Sequence, residues 1–275
     1  MAPTEAGSAV EADGRCCGGV PEQVQMGAPP PLSTESGQPA GPCEALRAAE
    51  EPPAGGCAQP APDEESAVRF PAEDTIFIFD WDDTVLPSTW VQCQGLRLDG
   101  SSVLTGAQRE ELAEVARVAG ETLAAAKQHG TVVLVTNAQR GWIELSCQKF
   151  MPSLVPVLEN VKLLSARTAY ESAEVSSPLE WKLRAFEAEI GRIYRPDGKA
   201  DSDRAWNVLS LGDSLHEREA LLRATAEMPN CRSKSLKFVE RPDVAQICKQ
   251  HTLVTSAFQQ ILHHDGNLDL CIRCE

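Results

Sequence analysis

Four β-branched and aromatic residues in a row, Ile76-Phe77-Ile78-Phe79, run directly into Asp80-Trp81-Asp82-Asp83-Thr84, and this junction constrains the chain more than any other stretch. An unbroken apolar run of strand length, bounded by Pro71 and Pro87, reads as a strand buried on both faces in the middle of a parallel sheet. Three carboxylates at its carboxyl end have no place in an apolar core, and they repel one another unless a cation lies among them. Ligand sites of open α/β sheets lie outside the carboxyl ends of central strands, so the stretch reads as a site rather than as a solvated turn.

The chain beyond residue 70 alternates strand and helix signals. Leu96-Arg97-Leu98-Asp99-Gly100 carries an Asp-Gly turn signal that suggests a small hairpin. Thr105 caps a helix with Leu112, Val115, Ala116, Ala119, Leu123 and Ala126 at helical spacing, ending at Gly130. A second buried strand, Val132 to Val135, ends in Thr136-Asn137, and a helical stretch follows to about Phe150. Val161 to Leu164 reads as a third strand. Ser177-Pro178-Leu179-Glu180 starts a helix by its capping residue, its proline and its glutamate, and that helix carries Lys182 and runs to about Ile190. A polar connection over 191–205 leads to a fourth strand, Asn207 to Leu211, which ends in Gly212-Asp213-Ser214. Leu236 to Val239 is a fifth strand. Val244, Ile247, Cys248, His251, Val254, Phe258, Ile261 and Leu262 mark one closing helix. Strands and helices alternating at this spacing build a parallel sheet with right-handed crossovers, a three-layer α/β/α Rossmann-like domain over 71–265.

Residues 1–70 are of a different composition, with eleven of the nineteen prolines and a single aromatic residue, Phe70, at the very end. Such a segment buries too little apolar surface to offset its ordering entropy, so it reads as a disordered acidic Pro/Gly-rich tail with a transient helical turn over 44–50. Residues 266–275 read as a flexible C-terminus. The net charge of −15 argues against nucleic-acid and anionic-membrane partners, and no apolar run approaches the length of a bilayer span. Of the ten cysteines, four fall in the tail and Cys147 and Cys248 in helical patterns, which fits reduced thiols in a cytosolic or nuclear compartment better than a disulfide framework.

Four polar sites now fall in one order: Asp80-x-Asp82-x-Thr84 after strand one, Thr136 after strand two, Lys182 near the start of the helix before strand four, and Asp213 after strand four. In this set and its placement the chain resembles the haloacid dehalogenase (HAD)-like hydrolase superfamily, aspartate-nucleophile phosphatase type, over residues 74–265. The resemblance implies a sheet ordered 5-4-1-2-3 and a Mg²⁺-dependent phosphoric monoester hydrolase working through an aspartyl-phosphate. Asp80 would attack phosphorus, and Asp82 would serve as general acid and then base while its backbone carbonyl holds the cation. Asp213 would complete the Mg²⁺ site with Asp80, Thr136 would donate to a phosphoryl oxygen, and Lys182 would neutralise charge on nucleophile and phosphoryl group. Glu217 stands where the family often has Asp, which leaves its part in the metal site open. Taken singly, Thr136 has a lesser reading as a helix cap, and a lysine such as Lys182 on an exposed helical face is more often solvated than catalytic; the order of the set favours the site.

Other clusters carry less. Cys271-x-x-Cys274 near His263 and His264 lacks the second pair a structural zinc site needs, and His251 falls on an apolar helix face. His216 reads as a surface residue. Trp81, Trp90, Trp142 and Trp181 sit beside motif residues, as an aromatic rim or as packing. The resembled family inserts specificity caps after the first motif or after strand three, but 85–130 and 167–177 leave no room for a large cap domain. An uncovered site takes its specificity from the surrounding surface, which points to a bulky phosphorylated substrate such as a phosphoprotein. Two other readings stand beside this one: a catalytically weakened binding or scaffold protein on the same fold, and a phosphotransferase.

Overall fold

The computed structural model describes the backbone of 44–46 and residues 70–194 and 204–273. At its centre is β2 (Thr75–Asp80), buried along its whole length as the apolar run requires. It pairs in parallel with β3 (Thr131–Thr136) on one side and β5 (Trp206–Gly212) on the other, with Phe79 opposite Leu134 and Leu211. Beyond β3 lies β4 (Lys162–Ser165), and beyond β5 lie β6 (Cys231–Lys237) and then β7 (Leu268–Ile272). The three-residue strand β1 (Glu44–Leu46) pairs in parallel with the outer edge of β7.

Side chains of β2 alternate between two apolar layers, as strand geometry dictates. Phe77 and Phe79 point into a layer built with α2 (Gly106–His129), α3 (Trp142–Phe150), α7 (Val244–Ser256) and α8 (Phe258–His263). Ile76 and Ile78 point into the other, with α4 (Ala166–Tyr170), α5 (Pro178–Tyr194) and α6 (Leu215–Thr225). The architecture is the three-layer α/β/α class that the alternation of signals requires. Capping boxes start α2 at Thr105 with Gln108, α6 at Ser214 with Glu217 and α7 at Asp243 with Gln246.

The order of the sheet departs from the expected 5-4-1-2-3: it reads β1-β7-β6-β5-β2-β3-β4, because it does not end at the fifth expected strand. Residues 268–272, expected in a flexible terminus, form β7; Leu270 and Ile272 are buried on one face, and Asp269 is held by the Arg218 guanidinium at 2.5 Å. Residues 44–46, expected in a transient helical turn, are the strand β1; the rest of the tail reading lies outside the described residues, as does 195–203 of the expected polar connection. Phe70, expected at the end of the tail, is buried with the domain.

Three local expectations change. The Leu96–Gly100 hairpin is instead a side-chain-closed turn after α1 (Ser88–Cys93): Ser102 Oγ accepts from the Arg97 amide and donates to its carbonyl, and Lys149 Nζ donates to the carbonyls of Asp99 and Ser102. Those bonds satisfy backbone groups that a partner strand would otherwise take. The fifth strand covers 231–237 rather than 236–239, since buried Ser233, Lys234 and Ser235 hide it from a search for apolar runs. The closing helix is two helices broken at Ala257.

Between β2 and β3 the chain makes only α1, the turn and α2, and between β4 and β5 only α4, α5 and the undescribed link. Among the described residues there is no large cap domain. No helix among them is long and apolar enough to cross a membrane.

Candidate active site

Parallel pairing of β2, β3 and β5 brings their carboxyl ends, and so Asp80, Thr136 and Asp213, to one edge of the sheet. Lys182 reaches them from the second turn of α5. Its side chain is 1% exposed, and its ammonium donates to Asp80 Oδ1 at 2.6 Å and to the Val135 carbonyl at 2.9 Å and meets Glu217 Oε1 at 2.8 Å. Three donors meet three acceptors, so the buried cation is fully bonded.

Glu217 is the residue that the sequence left open, and it lies inside the site. Its Oε2 accepts from the Ser214 amide at 3.1 Å and the Ser214 hydroxyl at 2.5 Å, while Oε1 faces Lys182. The Ser214-x-x-Glu217 spacing of a capping box was the sequence signal for where it points. Gly212 makes room for it: a Cβ there would sit 2.4 Å from Glu217 Cγ. One carboxylate oxygen each of Asp80, Asp213 and Glu217 lies within 4.8 Å of the others.

The side chains of the three aspartates of the motif do not converge. Asp83 adopts φ +53° and turns away, accepting from Ser88 Oγ at 3.1 Å, the Thr89 amide at 2.8 Å and Thr89 Oγ1 at 2.5 Å to start α1. Asp82 faces the mouth of β3, where its Oδ2 accepts from Thr136 Oγ1 at 2.7 Å and its Oδ1 from Trp142 Nε1 at 2.8 Å. Only Asp80 remains with Asp213 and Glu217.

Burial pushes the Asp80 carboxyl up, against the opposing pull of Lys182, and pushes Asp213 up, with repulsion from Asp80 and Glu217 adding to it. Burial raises Asp82 as well, and the Thr136 and Trp142 donors work against that rise. Burial alone would lower the Lys182 ammonium, yet Asp80 and Glu217 hold it above its ordinary value. For Glu217 the burial penalty is outweighed by Lys182 and Ser214, and its carboxyl lies low.

Two carboxylates, Asp80 and Glu217, thus hold one ammonium, and Glu217 has both oxygens committed to Lys182 and Ser214. Asp80 and Asp213 are left as a pair of hard oxygen donors close to each other. With Glu217, they form a carboxylate group that could hold a metal ion.

Trp142 is the second residue whose place the sequence did not resolve. Trp81 is core, with Nε1 donating to Ser146 Oγ at 3.0 Å, and Trp181 donates to the Val175 carbonyl at 2.8 Å. Trp90 packs against the apolar layer. Among the four, Trp142 is bonded to a motif carboxylate. His251 is buried, with its ring nitrogens 3.0 Å from Thr122 Oγ1 and 2.9 Å from the Thr84 carbonyl. Half-buried His216 follows Ser214 in the first turn of α6. Cys271 lies in β7, and Cys274 lies outside the described residues. A comparison of the chain with protein families, with curated proteins and with solved structures finds no match.

Proposed function

We propose that the chain is a Mg²⁺-dependent phosphatase of the aspartate-nucleophile kind that its motifs resemble. The observation that carries this reading is Asp80: a carboxylate at the end of the central strand, bonded to a buried ammonium and grouped with the carboxylates of Asp213 and Glu217.

In the proposed reaction a carboxylate oxygen of Asp80 attacks phosphorus and the bond from phosphorus to the ester oxygen breaks. The proton of Asp82 goes to the departing oxygen. A water then attacks the aspartyl-phosphate and gives its proton to Asp82, which releases inorganic phosphate and restores Asp80. Lys182 holds the attacking carboxylate in place and balances charge as the phosphoryl group arrives, and the Thr136 hydroxyl donates to a phosphoryl oxygen. Asp80, Asp213 and the Asp82 carbonyl would hold Mg²⁺, which would supply positive charge against the repulsion between the nucleophile and the phosphoryl group.

The described residues place no large cap over the site, which supports a bulky or macromolecular phosphate ester such as a phosphoprotein, recognised by the surface around the site. The free thiols of Cys93, Cys147, Cys231, Cys248 and Cys271 suit a reducing cytosolic or nuclear compartment.

Hydrolysis of an aryl phosphate by the parent and by Asp80→Asn, with and without Mg²⁺, tests the reading. The parent should turn over only with Mg²⁺, and the amide variant should fold yet lose at least about a thousandfold in rate, or ~4 kcal/mol of barrier. Activity of Asp80→Asn within about tenfold of the parent overturns the covalent mechanism. A folded parent with no Mg²⁺-dependent turnover leaves the scaffold reading standing.

A further inference from the structure

We propose that Trp142 is the positioning residue for Asp82, holding the acid in reach of the leaving group when substrate takes away its other partner. The role rests on the phosphatase reading above. Both oxygens of Asp82 are engaged, Oδ2 by the Thr136 hydroxyl at 2.7 Å and Oδ1 by the indole N–H of Trp142 at 2.8 Å. These two donors are not equivalent. A threonine hydroxyl has one hydrogen, and Thr136 Oγ1 already accepts from the Ala138 amide at 3.0 Å, so its hydrogen is the one given to Asp82. A phosphoryl oxygen bound at Thr136 needs that same hydrogen. The two uses exclude each other, and substrate binding therefore releases one side of Asp82. The indole N–H only donates, has no such competitor, and stays.

The backbone is built to put the indole there. Gly141, at φ +87°, precedes Trp142 at the start of α3, and the turn is closed by the Trp142 amide donating to the Gln139 carbonyl at 3.1 Å. A second indole ties the same two segments from the other direction. Trp81, between the two aspartates, donates to Ser146 Oγ at 3.0 Å, and Ser146 donates to the Trp142 carbonyl at 2.6 Å. The first turns of α3 thus brace the loop that carries Asp80 and Asp82 through two reciprocal indole bonds.

Trp142→Phe keeps the ring and removes only the N–H, and kcat/KM, which covers the steps through leaving-group departure, separates the role from a structural one. In the presence of Mg²⁺, kcat/KM on a phosphoserine peptide, whose alkoxide must be protonated as it leaves, should fall by about tenfold or more, within the range of general acid catalysis. On 4-nitrophenyl phosphate, whose leaving group needs no proton, it should change by less than about threefold. An equal loss on both substrates, or no loss on the peptide, overturns the inference. The contact is also read without turnover: the indole ¹H–¹⁵N resonance that disappears in Trp142→Phe should shift in Asp82→Asn, and an unmoved resonance overturns the inference even in an active enzyme. A parent inactive on both substrates with Mg²⁺ overturns the phosphatase reading and this role with it.

Discussion

Two lysines among the described residues are withdrawn from solvent, and they illustrate opposite outcomes of burial. Lys182, at the carboxyl edge of the sheet, meets two carboxylates and a carbonyl, and they hold its ammonium above the ordinary value. Lys234, in β6, donates to the Leu262 carbonyl at 2.8 Å and lies 4.8 Å from the centre of the Phe70 ring. Burial pushes its ammonium down to about 7, with Arg232 adding to the push and Asp265 opposing it weakly. A carbonyl dipole and a ring face do not replace the water that a charge loses, whereas two anions do. The comparison marks the carboxyl edge as the region where charge is kept by design of the fold, and β6 as the region where it is only tolerated.

The largest test breaks the first region. Lys182→Met leaves Asp80 and Glu217 buried without their cation, and it should cost about 3–5 kcal/mol in chemical denaturation, as removal of one partner of a buried ion pair does. A cost below about 1 kcal/mol would mean that the carboxylates are already neutral, and the picture of an ion-paired site would fail. A second test sharpens the contrast. Mg²⁺ at a hundred times its Kd should add about 2.7 kcal/mol to stability, and Asp213→Asn should remove that gain while Lys234→Met leaves it intact. Equal gains in parent and Asp213→Asn would place the ion elsewhere.

The smallest effect belongs to Lys234. Replaced by Met, it should leave stability at pH 7 within about 1 kcal/mol of the parent, because a lost hydrogen bond to Leu262 offsets relief of a buried charge. The pH dependence has a definite sign. The folded ammonium gives up its proton near 7 and the unfolded one near 10.5, so between these values the unfolded chain binds more protons and the parent gains stability as pH rises. Relative to the parent, Lys234→Met should therefore be most stable at pH 6 and lose that advantage steadily toward pH 9 in urea titrations. A flat difference would show that Lys234 keeps its charge.

Much of this arrangement was legible along the chain. The apolar run Ile76–Phe79 identified a strand buried on both faces, and the helical spacing of Leu112, Val115, Ala119 and Leu123 identified the helix covering it. Where strand or helix signals were carried by side chains doing other work, reading failed. Lys234 and its serine neighbours concealed most of β6, and the alternation of Leu268, Leu270 and Ile272 was too short to separate from a loose terminus. The Asp-Gly signal at Asp99 was real as a turn, but Ser102 and Lys149 closed it where a strand had been expected.

At the site, sequence by itself determined which groups end which strands, because strand ends are set by local polarity: Asp80 closes β2, Thr136 closes β3 and Asp213 follows β5. It also supplied Lys182 one turn into a well-marked helix. What the partners of those groups are was decided only in three dimensions. Asp80, Asp82 and Asp83 are neighbours in the chain yet point into three different surroundings, since the left-handed backbone at Asp83 turns it toward α1 and the indole of Trp142 draws Asp82 toward α3. Glu217 enters because a glycine at position 212 leaves the volume its side chain fills. Local sequence sets backbone preference and polarity over a few residues, while a carboxylate is ionised, bridged or braced according to donors that can lie a hundred residues away, as Lys182 does from Asp80.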